Sequence, residues 1–329
     1  MDLFSVGDMM SKTALITGCN GFIGANIGNR LMNMGYDIHG VDNVLRNHDA
    51  LPVEYISRRD SESFYKELSE GKEILPKPDV IIHMGACSST TEGSITTMMN
   101  NNLVASMLLA QYADEHNIRF IYASSAAVYG EGKNFMEYGA GLRPLNLYGN
   151  SKLMFDNWMI RNDMDGVGLR FFNVYGPGEE HKNGMASMIT RGYQQIQEFG
   201  GIRLFMPGIP FMARDFVYVQ DVVSVVVHFI QNPFFDGIFN VGTGHARTWP
   251  DIALAWATVL KQPVTIHPIG FPHSLGGKYQ YYTCANLDRL RDVADYRKPF
   301  RTLENGIQDY YKCYIGDKDG DQAQSCDSE

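Results

Sequence analysis

Hydrophobic and polar positions along this chain form short apolar runs separated by segments of helical periodicity. The longer segments NGFIGANIGNRLMNMG and MMNNNLVASMLLAQYADEHN place apolar residues three and four positions apart, which is typical of amphipathic helices. The apolar runs, which are typical of buried strands, are TALITG (13–18), YDIHGVDN (36–43), PDVIIHMGA (78–86), IRFIYASSA (118–126) and GVGLRFFNVYG (166–176). Strands that alternate with helices predict an α/β fold with a doubly wound parallel sheet, covered by helices on both faces.

The alternation becomes irregular after residue 176. Glycine and proline interrupt YGPGEEHKNG and FMPGIPF, which we interpret as loops that carry contacts rather than core elements. The strand pattern RDFVYV and a helix from Asp221 then return the chain to the sheet, because GIFNVGTG is again strand-like. The second half therefore predicts a smaller unit interleaved with the first.

Composition excludes several classes of protein. The 329 residues include 37 acidic and 28 basic side chains, and the densest basic cluster is Arg58 with Arg59, so we expect no nucleic-acid partner. The most apolar stretch, DVVSVVVHFI, is interrupted by His228 and is too short to span a bilayer, so we expect no membrane partner. Five widely spread cysteines without a C-x-x-C pair indicate reduced thiols, a cytoplasmic location and no metal site.

Three glycines separate the first predicted strand from the first predicted helix. In TGCNGFIGAN they are Gly18, Gly21 and Gly24, and an acid, Asp42, ends the next strand. Glycine lets the backbone approach a pyrophosphate closely, and the helix N-terminus offers free N–H groups, so the array predicts dinucleotide binding. Asp42 could accept hydrogen bonds from an adenosine ribose and favours NAD, whereas Arg46, Arg58 or Arg59 could neutralise the extra phosphate of NADP.

These features together predict the domain organisation. A Rossmann dinucleotide-binding domain would span residues 12–176, with return segments at about 214–242. A smaller, interleaved C-terminal substrate-binding domain would comprise residues 177–213 and 243–315. Residues 1–11 would form a leader, and the polar, acidic residues 316–329 would form a disordered tail.

A tyrosine and a lysine stand four positions apart in YGNSK, so Tyr148 and Lys152 would share one helix face. A free tyrosine has a pKa of about 10, which a nearby ammonium and a positively charged nicotinamide would lower. Ser125, 23 positions before the tyrosine, ends a predicted strand and could orient a substrate oxygen. We therefore expect Tyr148 to exchange a proton while a hydride passes between a substrate carbon and the nicotinamide. A surface tyrosine beside an ordinary lysine is the simpler alternative.

The motifs TGCNGFIG, SSAAVYG, YGNSK and RFFNVYGP, in this order, resemble the extended short-chain dehydrogenase/reductase family of nucleotide-sugar epimerases and dehydratases. The longer strings HMGACSSTTEG, FFNVYGPGEEHKNGMASM and GKYQYYTCANLDRLR are most similar to the branch that epimerises carbon six of ADP-linked heptoses. This likeness runs from about residue 12 to 312 and is sparsest between 44 and 78. It implies an epimerase of ADP-glycero-manno-heptose in lipopolysaccharide core synthesis, a homo-oligomer, with tightly held NADP+ and with NAD+ as the alternative.

The same resemblance implies site residues. Lys182 would be a second acid/base beside Tyr148, although spacing alone is equally typical of a solvated loop lysine, and His181 could carry the proton instead. The cofactor would contact Phe22, Ile23, Asp42, Asn43, Met84, Gly85, Ala86, Cys87, Ser88, Asn102, Tyr148, Lys152, Val174 and Lys182, besides the three glycines. The nucleotide sugar would contact Ser125, Asn173, His181, Gly184, Arg191, Phe205, Met206, Pro207, Gly208, Arg214 and Tyr279. Arg214 could clamp a diphosphate or could pair with Asp215.

Departures from the family pattern lie around the sugar and the ribose phosphate. Asn183 and Gly184 replace a glycine–serine pair, Arg191 stands where a histidine is expected, and lysines expected after Asp42 and Asn43 are missing. An epimerase or dehydratase of another nucleotide sugar is therefore the alternative function. A dehydratase usually has an Asp-Glu pair after the serine, where this chain has two alanines. A catalytically silent dinucleotide-binding module would not need Ser125, Tyr148 and Lys152.

Overall fold

The computed structural model describes residues 11–43, 57–90, 92–139, 141–205, 212–272, 276–277 and 279–315. Within these ranges the strands are β1 (Thr13–Thr17), β2 (Asp37–Asp42), β3 (Ser57–Asp60), β4 (Val80–His83), β5 (Arg119–Ser125), β6 (Val167–Phe171), β7 (Asn173–Tyr175), β8 (Gly201–Phe205), β9 (Ala213–Tyr218), β10 (Gly237–Val241), β11 (Ala246–Thr248) and β12 (Thr265–Ile269). The α-helices are α1 (Phe22–Asn33), α2 (Ser61–Ser69), α3 (Ile95–Met98), α4 (Ala105–Glu115), α5 (Leu147–Arg161), α6 (Met188–Phe199), α7 (Val219–Gln231), α8 (Trp249–Leu260), α9 (Asp288–Asp292) and α10 (Leu303–Tyr310).

The main sheet has seven parallel strands in the order β10-β6-β5-β4-β1-β2-β3. Thr13 of β1 is in register with Asp37 of β2, and Ala14 is in register with Val80 of β4. The chain thus builds the sheet outward from β1 in one direction and from β4 in the other. The predicted doubly wound α/β fold is confirmed, and its strand order reverses between β1 and β4.

Burial explains why the main strands read as nearly continuous apolar runs. All four residues of β4 and all five of β6 are buried, as expected for strands with helices on both faces. The run 166–176, predicted as one strand, is two: β6 pairs with β5 and β10, whereas β7 pairs with β9. The break falls at Phe172, whose N–H bonds to the Val241 carbonyl at 3.0 Å. Periodicity could not show this change of sheet because both halves are apolar.

A second apolar core lies on the other side of α1. A three-stranded sheet, β11-β9-β7, and the pair β12-β8 pack with α6, α8 and α10 around Trp249 and Trp256. Phe22, the first residue of α1, is buried in this second core, while Ile27 of the same helix is buried in the main one. The glycine turn before α1 therefore stands where the two cores meet.

Several expectations differ from the structure or fall outside it. The helix expected from Asp221 begins at Val219, and β3 and α2 had no sequence prediction. Cys87 and Cys284 have free thiols, whereas Cys313 is disulfide-bonded, which differs from the expected set of reduced thiols. Among the helices described, none has the length and apolar character needed to cross a membrane. Residues 1–10 of the expected leader and the expected tail, 316–329, lie outside the described residues.

Candidate active site

A cavity of about 1520 Å³ opens at the carboxyl ends of the main-sheet strands, where the strand order reverses. Connections leave in opposite directions at such a point, so open α/β sheets bind ligands there. Most site residues predicted from the sequence line this cavity: Gly18, Gly21, Phe22, Ile23, Gly24, Asp42, Asn43, Met84, Gly85, Ala86, Cys87, Ser88, Ser125, Tyr148, Lys152, Asn173, Val174, His181, Lys182, Gly184, Arg214 and Tyr279.

The turn between β1 and α1 leaves no room for side chains at two of its glycines. Gly18 has a φ of +68°, and a Cβ there would lie 2.7 Å from the Gly85 nitrogen. A Cβ on Gly24 would lie 2.2 Å from the Gly18 carbonyl oxygen, so the helix could not pack this closely. Gly21, at the N-cap of α1, provides no side chain to satisfy the first N–H groups of the helix. A backbone cradle at a helix N-terminus fits the diphosphate of a dinucleotide.

Asp42 ends β2 at the cavity wall, next to this cradle. Its Oδ2 accepts a hydrogen bond from the Asn20 N–H at 2.8 Å, which orients the carboxylate against the glycine turn. Arg59, one candidate for binding a ribose phosphate, instead donates to the Leu75 carbonyl at 2.9 Å and is not part of the cavity wall. Arg46 and the side chain of Arg58 lie outside the described residues.

Asn102 is fully buried beneath the loop after β4 and does not line the cavity. Its Oδ1 accepts from the Cys87 N–H at 2.8 Å, and its Nδ2 donates to the Cys87 carbonyl and the Ser151 hydroxyl, both at 3.0 Å. Asn102 is therefore placed behind the cavity wall, and its direct contact with the cofactor remains a prediction. Asn102 holds the 84–88 loop against α5, because an amide can satisfy both backbone groups of Cys87 at once.

Local structure brings Ser125, Tyr148 and Lys152 together. Ser125 is the last residue of β5, and its hydroxyl accepts from the Ala127 N–H at 3.1 Å. Asn146 caps α5 by accepting from the Gly149 N–H at 2.8 Å, which places Tyr148 in the first helical turn. The Ser125 hydroxyl hydrogen-bonds the Tyr148 phenol. Lys152, one turn later, donates from Nζ to the Ala123 carbonyl of β5 at 2.8 Å.

The protein alone does not acidify the phenol of Tyr148. Burial raises the pKa of Tyr148, and the hydrogen bond from Ser125 opposes the shift only in part. Burial also lowers the pKa of Lys152 to about 8, against the opposing charge of Asp156. The lowering of the tyrosine pKa that was predicted from the ammonium and the nicotinamide together is not produced by the protein groups alone. It would require the positive ring of a bound cofactor.

A buried ion pair between Asp156 and Arg170, which the sequence did not predict, lies near Lys152. Asp156, one turn after Lys152 on α5, accepts from Arg170 Nε at 2.9 Å and from the Ser124 hydroxyl at 2.9 Å. Asp156 and Arg170 are almost completely buried. A buried carboxylate needs such partners to remain charged. The sequence signal was an aspartate four positions beyond the lysine on an otherwise apolar helix face.

Lys182 faces the cavity from the segment after β7. It lies in a 3-10 turn (Glu180–Met185), and its Nζ lies 4.8 Å from the centre of the Phe22 ring. Burial lowers the pKa of Lys182, against the opposing charge of Glu179. Glu179 is 1% exposed and accepts from the Ser187 hydroxyl at 2.7 Å and the Gly176 N–H at 3.2 Å, so it holds this turn in place. These contacts distinguish Lys182 from a loop lysine that is fully exposed to solvent.

Among the described residues Arg214 has no carboxylate partner, and the alternative pairing with Asp215 is not formed. Adjacent strand residues point to opposite faces, and Asp215 accepts from the N–H groups of Thr243 and Ala285 at 2.8 and 2.9 Å. The Arg214 guanidinium lies 5.0 Å from the centre of the Tyr279 ring, and its buried Nε has no hydrogen-bond partner in the described part of the chain. Burial lowers the pKa of Arg214. A buried guanidinium held by neutral groups at a cavity wall fits an external anion.

Some predicted residues do not meet at the cavity. Arg191 lies on α6 and approaches the Gly184 carbonyl at 3.5 Å, and Phe205 ends β8 against Phe271, so neither lines the cavity wall. Met206, Pro207 and Gly208 lie outside the described residues. In the part of the chain that the structure describes, no three histidine, cysteine or acidic side chains are grouped as a metal site would need.

Residues 14–242 match the NAD dependent epimerase/dehydratase family, and this segment contains the glycine cradle and the Ser125, Tyr148 and Lys152 cluster. The chain belongs to this family. It is 41% identical over 324 residues to the ADP-L-glycero-D-manno-heptose-6-epimerase of Nitratidesulfovibrio vulgaris, covering 93% of this chain and 98% of that protein. The same-named protein of Pseudomonas aeruginosa is 39% identical over 325 residues, covering 90% of this chain and 97% of that protein.

A solved structure is similar to this chain over the whole fold. The crystal structure of Helicobacter pylori ADP-L-glycero-D-manno-heptose-6-epimerase matches with a TM-score of 0.78 at 29% identity, covering 91% of this chain and 95% of that one. The resemblance and the epimerase class predicted from the motifs are confirmed. The family description also supports the predicted nicotinamide cofactor. The residues of the site remain a prediction.

Proposed function

We propose that this protein is an ADP-L-glycero-D-manno-heptose 6-epimerase that oxidises carbon six transiently and reduces it again. The observation that carries the proposal is that Ser125, Tyr148 and Lys182 face one cavity from different segments, with Lys152 buried beside them. An epimerase must handle the same oxygen in two positions, which two separate acid/base groups can reach. Relatives that carry this name match over most of the chain.

The cavity fits a nicotinamide dinucleotide as its resident cofactor. The glycine turn would hold the diphosphate, Asp42 and Asn43 the adenosine ribose, and the 84–88 loop with Val174 the nicotinamide side. When bound, the nicotinamide ring would accept a hydride from carbon six and return it to the opposite face. Gly18 and Gly24 support this placement, because a Cβ at either position would meet backbone atoms.

The protein groups would move the protons. Tyr148 would take the hydroxyl proton as carbon six is oxidised, while Ser125 donates a hydrogen bond to the same oxygen. The positive charge of Lys152, together with the oxidised ring, would stabilise the phenolate. Lys182 would supply the proton when the ketone is reduced from its other face, and burial lowers its pKa, which favours release of that proton. His181 is the alternative carrier because it lines the same wall.

The nucleotide sugar would lie across the second core. The Arg214 guanidinium would bind the diphosphate, and Tyr279 would hold the guanidinium in place. Asn173, His181, Gly184 and the 205–208 segment would contact the sugar or nucleotide, whereas Arg191 would have to act through the Gly184 loop. The product would enter lipopolysaccharide core assembly, in the cytoplasm, from a homo-oligomer.

The identity of the dinucleotide is a separate proposal. We propose NADP+, as the family resemblance implies, with NAD+ as the alternative that the carboxylate of Asp42 favours. Arg59 gives no support to NADP+, because its guanidinium is bound to the Leu75 carbonyl. Mass spectrometry of the dinucleotide released from purified protein distinguishes the two.

Substrate choice tests the proposed function. Purified protein, without added cofactor, should interconvert the two C6 epimers of ADP-glycero-manno-heptose, and it should leave UDP-glucose and UDP-galactose unchanged. Tyr148→Phe should reduce the rate by about a thousandfold or more, because no other described phenol is bonded to Ser125. If the protein converts only the UDP-hexoses, the proposed substrate is wrong and the protein is a different epimerase of the family.

A further inference from the structure

Gln280 joins two parts of the cavity wall that sequence analysis treated separately. Its Nε2 donates to the Ala126 carbonyl at 3.0 Å and to the Gly130 carbonyl at 2.9 Å. Its Oε1 accepts from Arg214 Nη1 at 3.3 Å. The side chain lines the cavity, and no site prediction included it.

These contacts fix the orientation of the Gln280 amide. A reversed amide would place its oxygen against the carbonyl oxygens of Ala126 and Gly130 and its NH₂ group against a guanidinium, so every contact would become repulsive. The backbone at this point is also constrained. The Ala213 N–H bonds to the Tyr281 carbonyl at 3.1 Å, and the Thr283 N–H bonds to the Ala213 carbonyl at 3.0 Å. Gln280 is therefore held directly beside β9, which carries Arg214.

The two carbonyls that Gln280 binds bracket the turn that Ser125 begins. Ser125 caps the 3-10 turn Ala126–Tyr129, and Gly130 follows with a φ of 56°. At Gly130 a Cβ would lie 1.8 Å from the Arg143 carbonyl oxygen, so this end of the turn is tightly packed. A shift of the Gln280 amide would therefore move Ala126, the immediate neighbour of the catalytic serine.

At its other end Gln280 contacts Arg214. The buried Nε of this guanidinium has no hydrogen-bond partner among the described residues. Its described side-chain contacts are with Tyr279 and Gln280, both neutral. An anion that binds Arg214 would draw the guanidinium toward itself, and Gln280 is bonded directly to that guanidinium. The amide thus joins the proposed diphosphate site to the turn that positions Ser125.

We propose that Gln280 is a positioning residue that couples phosphate binding at Arg214 to the placement of the Ser125 hydroxyl. The inference rests on the proposed function, since it needs a nucleoside diphosphate at Arg214. Its consequence is that the catalytic turn becomes ordered when the correct anion is bound, and less so with the cofactor alone.

Hydrogen exchange with ADP as the probe tests the coupling without requiring turnover. In the cofactor-loaded wild-type protein, ADP should slow amide exchange in residues 126–132 at least threefold. Gln280→Leu should bind ADP within about tenfold of wild type, because one neutral hydrogen bond to Arg214 is lost, yet show no such slowing. Gln220→Leu is the matched control: it removes a glutamine bond to Asn26 at 2.9 Å outside the cavity wall, and it should retain the slowing.

The outcomes separate the coupling from the proposed substrate. If wild type and Gln280→Leu respond alike, or if ADP binds wild type without slowing exchange, the coupling is overturned. If UDP rather than ADP produces the slowing and Gln280→Leu abolishes it, the coupling stands and the proposed nucleotide fails. If wild type binds neither nucleotide, both proposals are overturned.

A kinetic cycle provides a second readout that a structural role alone would not give. Gln280→Leu should lower kcat about tenfold, with a smaller change in KM. If the glutamine acts through the serine hydroxyl, the double variant with Ser125→Ala should be no slower than Ser125→Ala alone. Multiplicative losses in the double variant would contradict the proposed path.

Discussion

The ammonium of Lys152 donates a hydrogen bond to the backbone carbonyl of Ala123, with 2.8 Å between Nζ and the oxygen. This bond ties α5, which carries Tyr148, to β5, which ends in Ser125. Lys152 is 4% exposed, and burial lowers its pKa to about 8. The protein therefore keeps a positive charge in a buried position, which costs folding free energy, and in the proposed mechanism this charge stabilises the phenolate of Tyr148.

The first prediction concerns the pH dependence of stability. The folded-state pKa of Lys152, about 8, lies below the ordinary 10.5, so the folded protein binds fewer protons between these values and gains stability as pH rises through them. Lys152→Met removes this gain. Urea unfolding at pH 7.5 and 9.5 should show that the stability difference between variant and wild type changes by about 2 kcal/mol. A difference independent of pH would mean that Lys152 titrates normally.

The second prediction concerns Tyr148 before and after cofactor binding. Because burial raises the pKa of this phenol, the cofactor-free protein should hold it neutral well above pH 7. The oxidised dinucleotide should then lower the midpoint, since its ring is positive. Ultraviolet difference absorbance of phenolate, taken as wild type minus Tyr148→Phe, measures both states. A midpoint unchanged by the oxidised cofactor would remove the ring from the proposed activation of the tyrosine.

The third prediction concerns the glycine cradle. Gly24→Ala places a methyl group 2.2 Å from the Gly18 carbonyl oxygen, so α1 must move away from β1. We expect a loss of about 2 kcal/mol or more and a large loss of co-purified dinucleotide. Gly270→Ala is the control, because its Cβ would meet nothing within 4 Å. Thermal unfolding and absorbance of the released cofactor measure the two effects, and full retention of cofactor by Gly24→Ala would contradict the cradle.

The fourth prediction concerns the buried pair behind the lysine. Asp156→Asn leaves Arg170 without its carboxylate in a site where both are almost fully buried, so it should destabilise the protein by about 3 kcal/mol. It should also lower the pKa of Lys152 further, because the charge of Asp156 raises it. Asp295→Asn, which breaks an exposed pair with Arg297, should leave the melting temperature unchanged. Equal melting temperatures for the two variants would show that Arg170 finds another partner.

The fifth prediction concerns the second acid/base. Lys182→Met should lower the epimerisation rate by about a hundredfold or more, because one face of the ketone loses its proton donor. Lys298→Met, an exposed lysine outside the cavity, should not change it. A rate for Lys182→Met equal to wild type would reject the two-base scheme and return the role to His181 or to Tyr148 alone.

Local patterns predicted the parts of the site that depend on neighbours in the sequence. The spacing of Tyr148 and Lys152, the glycine array and Ser125 at a strand end could all be recognised, because helix pitch and strand order fix where such residues lie. The contacts of Asn102 and Gln280 could not be predicted in this way. Asn102 contacts Cys87, which is 15 residues away, and Gln280 contacts Arg214, which is 66 residues away. No rule of sequence spacing predicts such contacts.

Competing contacts account for the remaining differences. Arg214 and Asp215 are adjacent in sequence, and pairing was a reasonable alternative, but strand geometry sends them to opposite faces. The raised pKa of Tyr148 follows from burial, which is invisible in a four-residue motif. Sequence motifs therefore predicted candidate reacting groups, whereas the charge states of these groups depend on the packing around them.

The most direct test of the central claim uses ADP-D-glycero-D-manno-heptose with deuterium at carbon six and purified protein without added cofactor. The proposed mechanism predicts that nuclear magnetic resonance will show both C6 epimers, with deuterium still at carbon six in the product. Loss of the deuterium to solvent, or no second epimer from protein that carries its dinucleotide, would contradict oxidation and re-reduction at carbon six.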